Sequence, residues 1–300
     1  MMEALQTTAK DWGITAIVAG GRDGILAEWG AAHLPVNVRS VRKGLLSGLY
    51  GAASFEKPFD LTTTLAALKI DDRQPFLTDQ ETQATIRDLL MARSGVYHSA
   101  AYEAPSMKAK RPARGSHAPG SFWYYNNWDF NVLGVIYERL TGEDVYQSFA
   151  HRIANRIGME DFSWSNCCRV YDPVSDHPAH TFRLSAYDLV RFGLLFLNRG
   201  RWDGRAIIPD SWVAESTSAY SQTDKDGLGY GYLWWVAPPD GPFGSGAYFA
   251  LGHGGQGLAV LPDHNVVVAQ VVNVAEGEER LASEHFAKIL RLVIQIVLRS

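Results

Sequence analysis

Two serine–lysine pairs occur at a spacing of three, Ser40–Lys43 in R-S-V-R-K-G-L and Ser54–Lys57 in S-F-E-K-P. A serine hydroxyl is a poor nucleophile until a base takes its proton, and an amine one helical turn away can be that base. Positions three apart on a helix share a face, so the spacing lets the amine reach back to the hydroxyl. The first pair follows an extended stretch kept out of helix by Pro35, Val36 and Val38, and precedes Leu45, Leu46, Leu49 and Tyr50 at helical spacing. Ser40 is therefore expected at the N-terminal end of a buried helix. There, free N–H groups and the positive end of the helix dipole favour an alkoxide and the oxyanion that follows it. Pro58 directly after Lys57 disfavours helical geometry at the second pair, which reads as a surface turn. Arg42, between the two candidate residues, is expected on another face as a solvated charge or an ion-pair partner.

Further along, Tyr125-Asn126-Asn127 places a phenol and a carboxamide two residues apart, and Leu251-Gly-His-Gly-Gly-Gln256 places glycines at the edge of a strand. Glycines there let a substrate pair closely with the backbone. His177 and His180 look like a metal pair only superficially: no third ligand is evident, and they read as loop residues, so no metal site is expected. The chain has no G-x-S-x-G and no H-E-x-x-H, which argues against an α/β-hydrolase elbow and a zinc peptidase helix.

The elements that must position these groups fall into a simple order. Two short apolar runs, Ile14 to Ala19 and Ile25 to Trp29, flank Gly-Gly-Arg-Asp-Gly and read as a hairpin. The middle is mostly helical, with expected helices over 82–92, 130–140 and 185–198 and a short one opened by Pro209-Asp210-Ser211. Strand character returns over 231–236, 247–251, 257–261 and 265–273, and 237–246 reads as a Gly/Pro-rich loop. A helix from about 278 to 298 closes the chain, with Leu281, Phe286, Ile289, Leu290 and Val293 as its apolar stripe. Antiparallel strands at both ends most simply pair into one sheet, with the helical half inserted between them.

With 300 residues, 46% of them hydrophobic, and a net charge of −4, the chain reads as a globular protein without a basic field for nucleic acid. Its N-terminus has no basic segment followed by an apolar run, and no stretch is long enough for a membrane span. A cytoplasmic enzyme without membrane or nucleic-acid partners is expected, and the sequence fixes no oligomeric state. Cys167 and Cys168 are adjacent, and a disulfide between neighbours is strained, so two thiols are expected.

These three motifs, in this order and at these separations, resemble the serine β-lactamase and penicillin-binding-protein superfamily, whose pattern is S-x-x-K, then Y-x-N, then K-T-G or H-x-G on a strand. The resemblance is strongest to class C β-lactamases and the esterases and amide hydrolases related to them. The Leu-Gly-His-Gly-Gly-Gln wording is similar to the 6-aminohexanoate-dimer hydrolase branch. The phrases Leu89-Leu90-Met-Ala-Arg-Ser94-Gly95, Ser185-Ala-Tyr-Asp-Leu-Val-Arg-Phe-Gly193 and Gly229-Tyr-Gly-Tyr-Leu-Trp-Trp235 extend the likeness over nearly the whole chain.

The resemblance implies an α+β, β-lactamase-like fold in one domain over 1–300. An antiparallel sheet drawn from both chain ends would be flanked by N- and C-terminal helices. An α/β lobe (about 1–48 plus 205–300) would carry a helical lobe (about 49–204). It implies an acyl-enzyme on Ser40, with Lys43 and Tyr125 sharing the general base and acid roles as a coupled unit, either of them being the base. Asn127 would hold Lys43 and a substrate oxygen. His253 and Gly255 would line the site, and the backbone N–H groups of Ser40 and Gln256 would form the oxyanion hole. No cofactor is implied. Where penicillin-recognising members carry lysine in the third motif this chain has His253, so a neutral ester or small amide fits better than an anionic β-lactam. A D-amino-acid peptidase and a β-lactamase follow in that order. A catalytically silent member that binds a peptide or cell-wall fragment is the alternative of another class.

Overall fold

Strands from the two ends of the chain meet in one sheet. The computed structural model describes residues 2–225, 227–274 and 281–298. After a helix α1 (Met2–Asp11), the chain forms the hairpin β1 (Ala16–Gly21) and β2 (Gly24–Gly30) and then the buried helix α2 (Arg42–Ala53). Helices α3 (Asn127–Thr141) and α4 (Ala186–Leu197) lie in the middle of the chain. The remaining strands of the main sheet follow: β3 (Ser221–Gln222), β4 (Gly229–Tyr230), β5 (Trp235–Val236), β6 (Tyr248–Gly252), β7 (Gln256–Leu261) and β8 (Val266–Val271). Helix α5 (Ser283–Val297) comes last. The strand order is β2-β1-β8-β7-β6-β5-β4-β3, and every neighbouring pair is antiparallel.

Strands β1, β7 and β8 are buried along their whole length, because helices cover both faces of the sheet. Phe286 of α5 packs on Gly257 from one side; Val190 and Gly193 of α4 pack on Gly20 and Val267 from the other. The stripe Phe286, Ile289, Leu290 and Val293 is buried as its spacing predicts. Among the described residues, no helix is long and apolar enough to cross a membrane.

Several boundaries differ from the sequence reading, each for a local reason. The helix expected over 82–92 is two pieces, a 3-10 turn at Glu81–Gln83 and a short α-helix at Ile86–Leu90. Thr85, extended between them, closes a capping box with Asp88. The run 231–236 is not one strand: Gly231 N–H donates to the Trp234 carbonyl at 2.8 Å and Leu233 adopts φ +68°, which folds the run into a tight hairpin. The stretch holding His177 and His180 is a strand, Ser175–Thr181, with both histidines buried, and not a loop. The expected start of the last helix, 278–280, lies outside the described residues. Cys167 and Cys168 are both free thiols.

Candidate active site

Helix α2 sets the position of the first motif. All twelve of its residues are buried, and three small ones let its neighbours approach. A β-carbon on Gly44 would lie 3.2 Å from Ala250 and Trp234, on Gly48 2.8 Å from Phe192, and on Gly51 2.4 Å from Trp212. The helix therefore wedges between β6, α4 and Trp212 with no room for larger side chains. It is entered through a 3-10 turn, Arg39–Val41, so Ser40 stands on the turn leading into α2.

Lys43 is the centre of the arrangement. Its Nζ donates to Ser40 Oγ at 2.7 Å and to the Tyr125 hydroxyl at 2.8 Å. The side chain is buried and, among the described residues, no carboxylate lies within ion-pair distance of it. Burial drives its pKa well below the ordinary lysine value, and the neighbouring Arg42 guanidinium pushes it further in the same direction. Burial has the opposite effect on the Tyr125 phenol, which is pushed up to about 12 although Ser40 and Arg42 pull it back. Burial thus disfavours both the charged amine and the ionised phenol, which suits the amine to accept a proton and the phenol to give one.

Arg42 is not the solvated charge the sequence suggested. It is buried with its helix, and Nη2 donates to Asn131 Oδ1 at 3.0 Å. A residue type that is rarely buried gave no warning of this.

Tyr125 is held by aromatic neighbours. Its ring stacks on Trp235 at 5.3 Å between centroids, and Trp123 meets the edge of Trp235 at 5.8 Å. Trp128 and Trp234 are fully buried core residues instead. Two residues on, Asn127 opens α3. Its Nδ2 donates to the Tyr102 carbonyl at 2.7 Å, while its buried Oδ1 has no partner. The cap residue is Asn126, whose Oδ1 accepts from Trp128 N–H and whose Nδ2 reaches Val96 O and Asp129 Oδ1. Burial raises the Asp129 carboxyl well above the usual range, and the hydrogen bond from Ser94 opposes it.

The third motif lies differently from the sequence reading. His253, Gly254 and Gly255 form the turn between β6 and β7, and the glycine that meets the nucleophile is Gly252. A β-carbon there would lie 2.6 Å from the Val38 carbonyl and 3.2 Å from Ser40 N, contacts only a glycine permits. Gly255 packs instead against Val272 and Leu281. Gln256 pairs with Gly252 across the hairpin, and its side chain is bound at both ends to the Val272 backbone, at 2.6 and 3.1 Å. The Ala237 N–H bond to Ala247 O at 2.8 Å marks which β6 residues turn their backbone groups toward the β5 side: 249 and 251. Beyond the Phe249–Trp235 pair, β5 has ended, so Leu251 lies on an open edge of β6, next to the Gly252 that meets Ser40. The exposed His253 side chain sits at the tip of this edge. Three glycines within four positions give no sequence cue to which one abuts the nucleophile.

The Beta-lactamase family model matches residues 13–291. This chain belongs to that family. Solved structures share the fold at low identity. A protein provisionally named a 6-aminohexanoate-dimer hydrolase from Bacillus anthracis matches with TM-score 0.76 and 20% identity, over 98% of this chain and 82% of its own. A penicillin-binding protein from Bacillus halodurans matches with TM-score 0.71 and 18% identity, over 96% and 98%. EstCE1, a hydrolase with promiscuous acyltransferase activity, matches with TM-score 0.68 and 16% identity, over 98% and 97%. A search of curated protein sequences returns no match.

Proposed function

We propose that this β-lactamase-family chain is a serine hydrolase that cleaves an ester or amide through an acyl-enzyme on Ser40. The observation that carries the reading is Lys43 Nζ placed between Ser40 Oγ at 2.7 Å and the Tyr125 hydroxyl at 2.8 Å, buried and without a counter-ion among the described residues. The neutral amine takes the Ser40 proton as Oγ attacks the carbonyl carbon. Tyr125 passes a proton to the leaving alcohol or amine as the C–O or C–N bond breaks. A water molecule then cleaves the acyl-enzyme by the reverse sequence, and the two groups titrate as one coupled unit.

The oxyanion is held by the backbone N–H groups of Ser40 and His253, because Gly252, which abuts Ser40 N, takes the place of the motif glycine and His253 is the residue that follows it. Each such donor contributes about 3–4 kcal/mol to the transition state. In this register the positions occupied by lysine and threonine in penicillin-recognising relatives are Ala250 and Leu251, so β6 offers no fixed cation to a β-lactam carboxylate. Ester and amide hydrolysis therefore ranks above β-lactam turnover. In this reading the unpartnered Oδ1 of Asn127 receives a substrate N–H or the third Lys43 proton. Two names among the structural relatives, an amide hydrolase and a hydrolase with acyltransferase activity, are compatible with such chemistry.

Labelling the folded protein with a fluorophosphonate and mapping the adduct by mass tests the reading. The expected adduct is on Ser40, abolished in Ser40→Ala; folded protein without an adduct favours a silent binding module. Comparing p-nitrophenyl ester hydrolysis with nitrocefin turnover tests the ranking, and faster nitrocefin turnover reverses it.

A further inference from the structure

We infer that Arg39 and Tyr102 form a carboxylate-binding subsite beside Ser40, and that the ester or amide acylating Ser40 carries a carboxylate. The inference rests on Ser40 being the nucleophile and adds the substrate class. Seven arginines, at 73, 111, 114, 152, 169, 191 and 199, pair with carboxylates among the described residues. Half-buried Arg39 is paired with none of them: its Nη1 donates to the Tyr102 hydroxyl, and its buried Nε has no partner. The Tyr102 oxygen also accepts from Asn37 Nδ2 at 3.1 Å. A phenol oxygen that already accepts two hydrogen bonds keeps its own O–H to donate. Guanidinium, carboxamide and phenol thus converge as donors with no anion among them, and a planar carboxylate matches an arginine fork in both charge and geometry.

The cluster adjoins the proposed site through both of its residues. Arg39 is bonded to the nucleophilic residue itself, and the carbonyl of Tyr102 receives the Asn127 carboxamide at 2.7 Å. Both residues hold left-handed backbone conformations, φ +52° at Arg39 and +62° at Tyr102. That conformation is unfavourable for bulky side chains, and it gathers at ligand clamps and active sites. Asn37 fixes the first of them by accepting the Arg39 N–H at 3.0 Å.

The test compares p-nitrophenyl butyrate with the anionic mono-p-nitrophenyl succinate. The wild type is expected to favour the anionic ester in kcat/KM by about tenfold or more, and Arg39→Gln to erase most of that ratio, as loss of a charge-assisted contact does. Equal kcat/KM for the two esters in the wild type, or a ratio unchanged by Arg39→Gln, overturns the subsite. A readout without turnover is calorimetric binding of methyl hydrogen succinate to Ser40→Ala. Adding Arg39→Gln is expected to weaken binding about tenfold, and undiminished binding overturns the proposal. Failure of the serine-hydrolase reading is seen separately, as absence of a fluorophosphonate adduct on Ser40.

Discussion

Two buried titratable groups of this molecule, Asp72 and Lys43, are held on opposite plans. The Asp72 carboxylate accepts from Ser175 Oγ at 2.6 Å, Asp176 N–H at 2.7 Å, Trp128 Nε1 at 2.8 Å and Arg73 N–H at 2.8 Å. His98 and His177 stand at 3.5 and 4.0 Å from it. Burial opposes its charge, yet the hydrogen bonds win and its pKa falls below the usual carboxylate value. Lys43 is equally buried but has two hydroxyl partners and, among the described residues, no opposite charge. Burial and the Arg42 guanidinium both disfavour its charge. A satisfied buried charge fixes structure, whereas a buried amine denied its charge is held ready to take a proton.

The largest expected effect follows from the starved site. Lys43→Ala should slow acylation of Ser40 by about 10²–10⁴-fold, the range for loss of a general base, and an unaltered burst with p-nitrophenyl ester removes Lys43 from the mechanism. Stability should respond in the other sense. The folded pKa of Lys43 lies below the unfolded one, so between the two values the unfolded chain binds the extra proton and stability rises with pH. Lys43→Met is therefore expected to unfold at a higher temperature than wild type near neutral pH. The gain should shrink towards about pH 11, where lysine loses its charge in either state.

Asp72→Asn should do the reverse, costing about 3 kcal/mol of stability while acylation by the folded fraction stays close to wild type. The amide turns one end of the acceptor into a donor that faces two donors already in place. Because the folded Asp72 pKa is depressed, its contribution is present above the unfolded carboxyl value and lost as pH falls through the folded one. Urea titrations at neutral and acidic pH should therefore separate wild type from variant most at neutral pH. Equal separation at both sets aside the ionised carboxylate as the hub.

A third comparison lies within the β6–β7 hairpin. Gly252→Ala would place a methyl group 2.6 Å from the Val38 carbonyl and shift the Ser40 N–H. Acylation should fall by about 10–100-fold, a part of what one oxyanion donor contributes. Gln256→Ala, which removes a side chain tied to Val272, should affect stability more than rate. If the order is reversed, Gln256 N–H is the second donor after all.

Local rules made much of this site legible. The spacing of Ser40 and Lys43 announced the contact between hydroxyl and amine, and apolar runs at both chain ends announced the sheet. What stayed hidden depends on distant pairing. Arg39 meets Tyr102 across 63 positions, and neither residue type advertises the contact. Arg42 read as surface because arginines usually are, but α2 has no exposed face to hold it. The strand expected over 231–236 failed because β propensity cannot see a turn set by one left-handed leucine.

The smallest effect sharpens the contrast most. Arg42 is one of two causes that depress the Lys43 pKa, the lesser after burial. Arg42→Met keeps an unbranched side chain in the same space and gives up the bond to Asn131. With the guanidinium gone, the lysine should hold its proton to higher pH, so the acidic limb of acylation against pH should move upward. Burial alone should still keep the limb below the ordinary lysine value. Acylation well above the limb should remain near wild type, because the free amine is the same base once formed. A purely structural arginine would lower the plateau and leave the limb in place. An unmoved limb with a lowered plateau would therefore assign Arg42 to packing, and leave desolvation as the whole cause of the neutral amine.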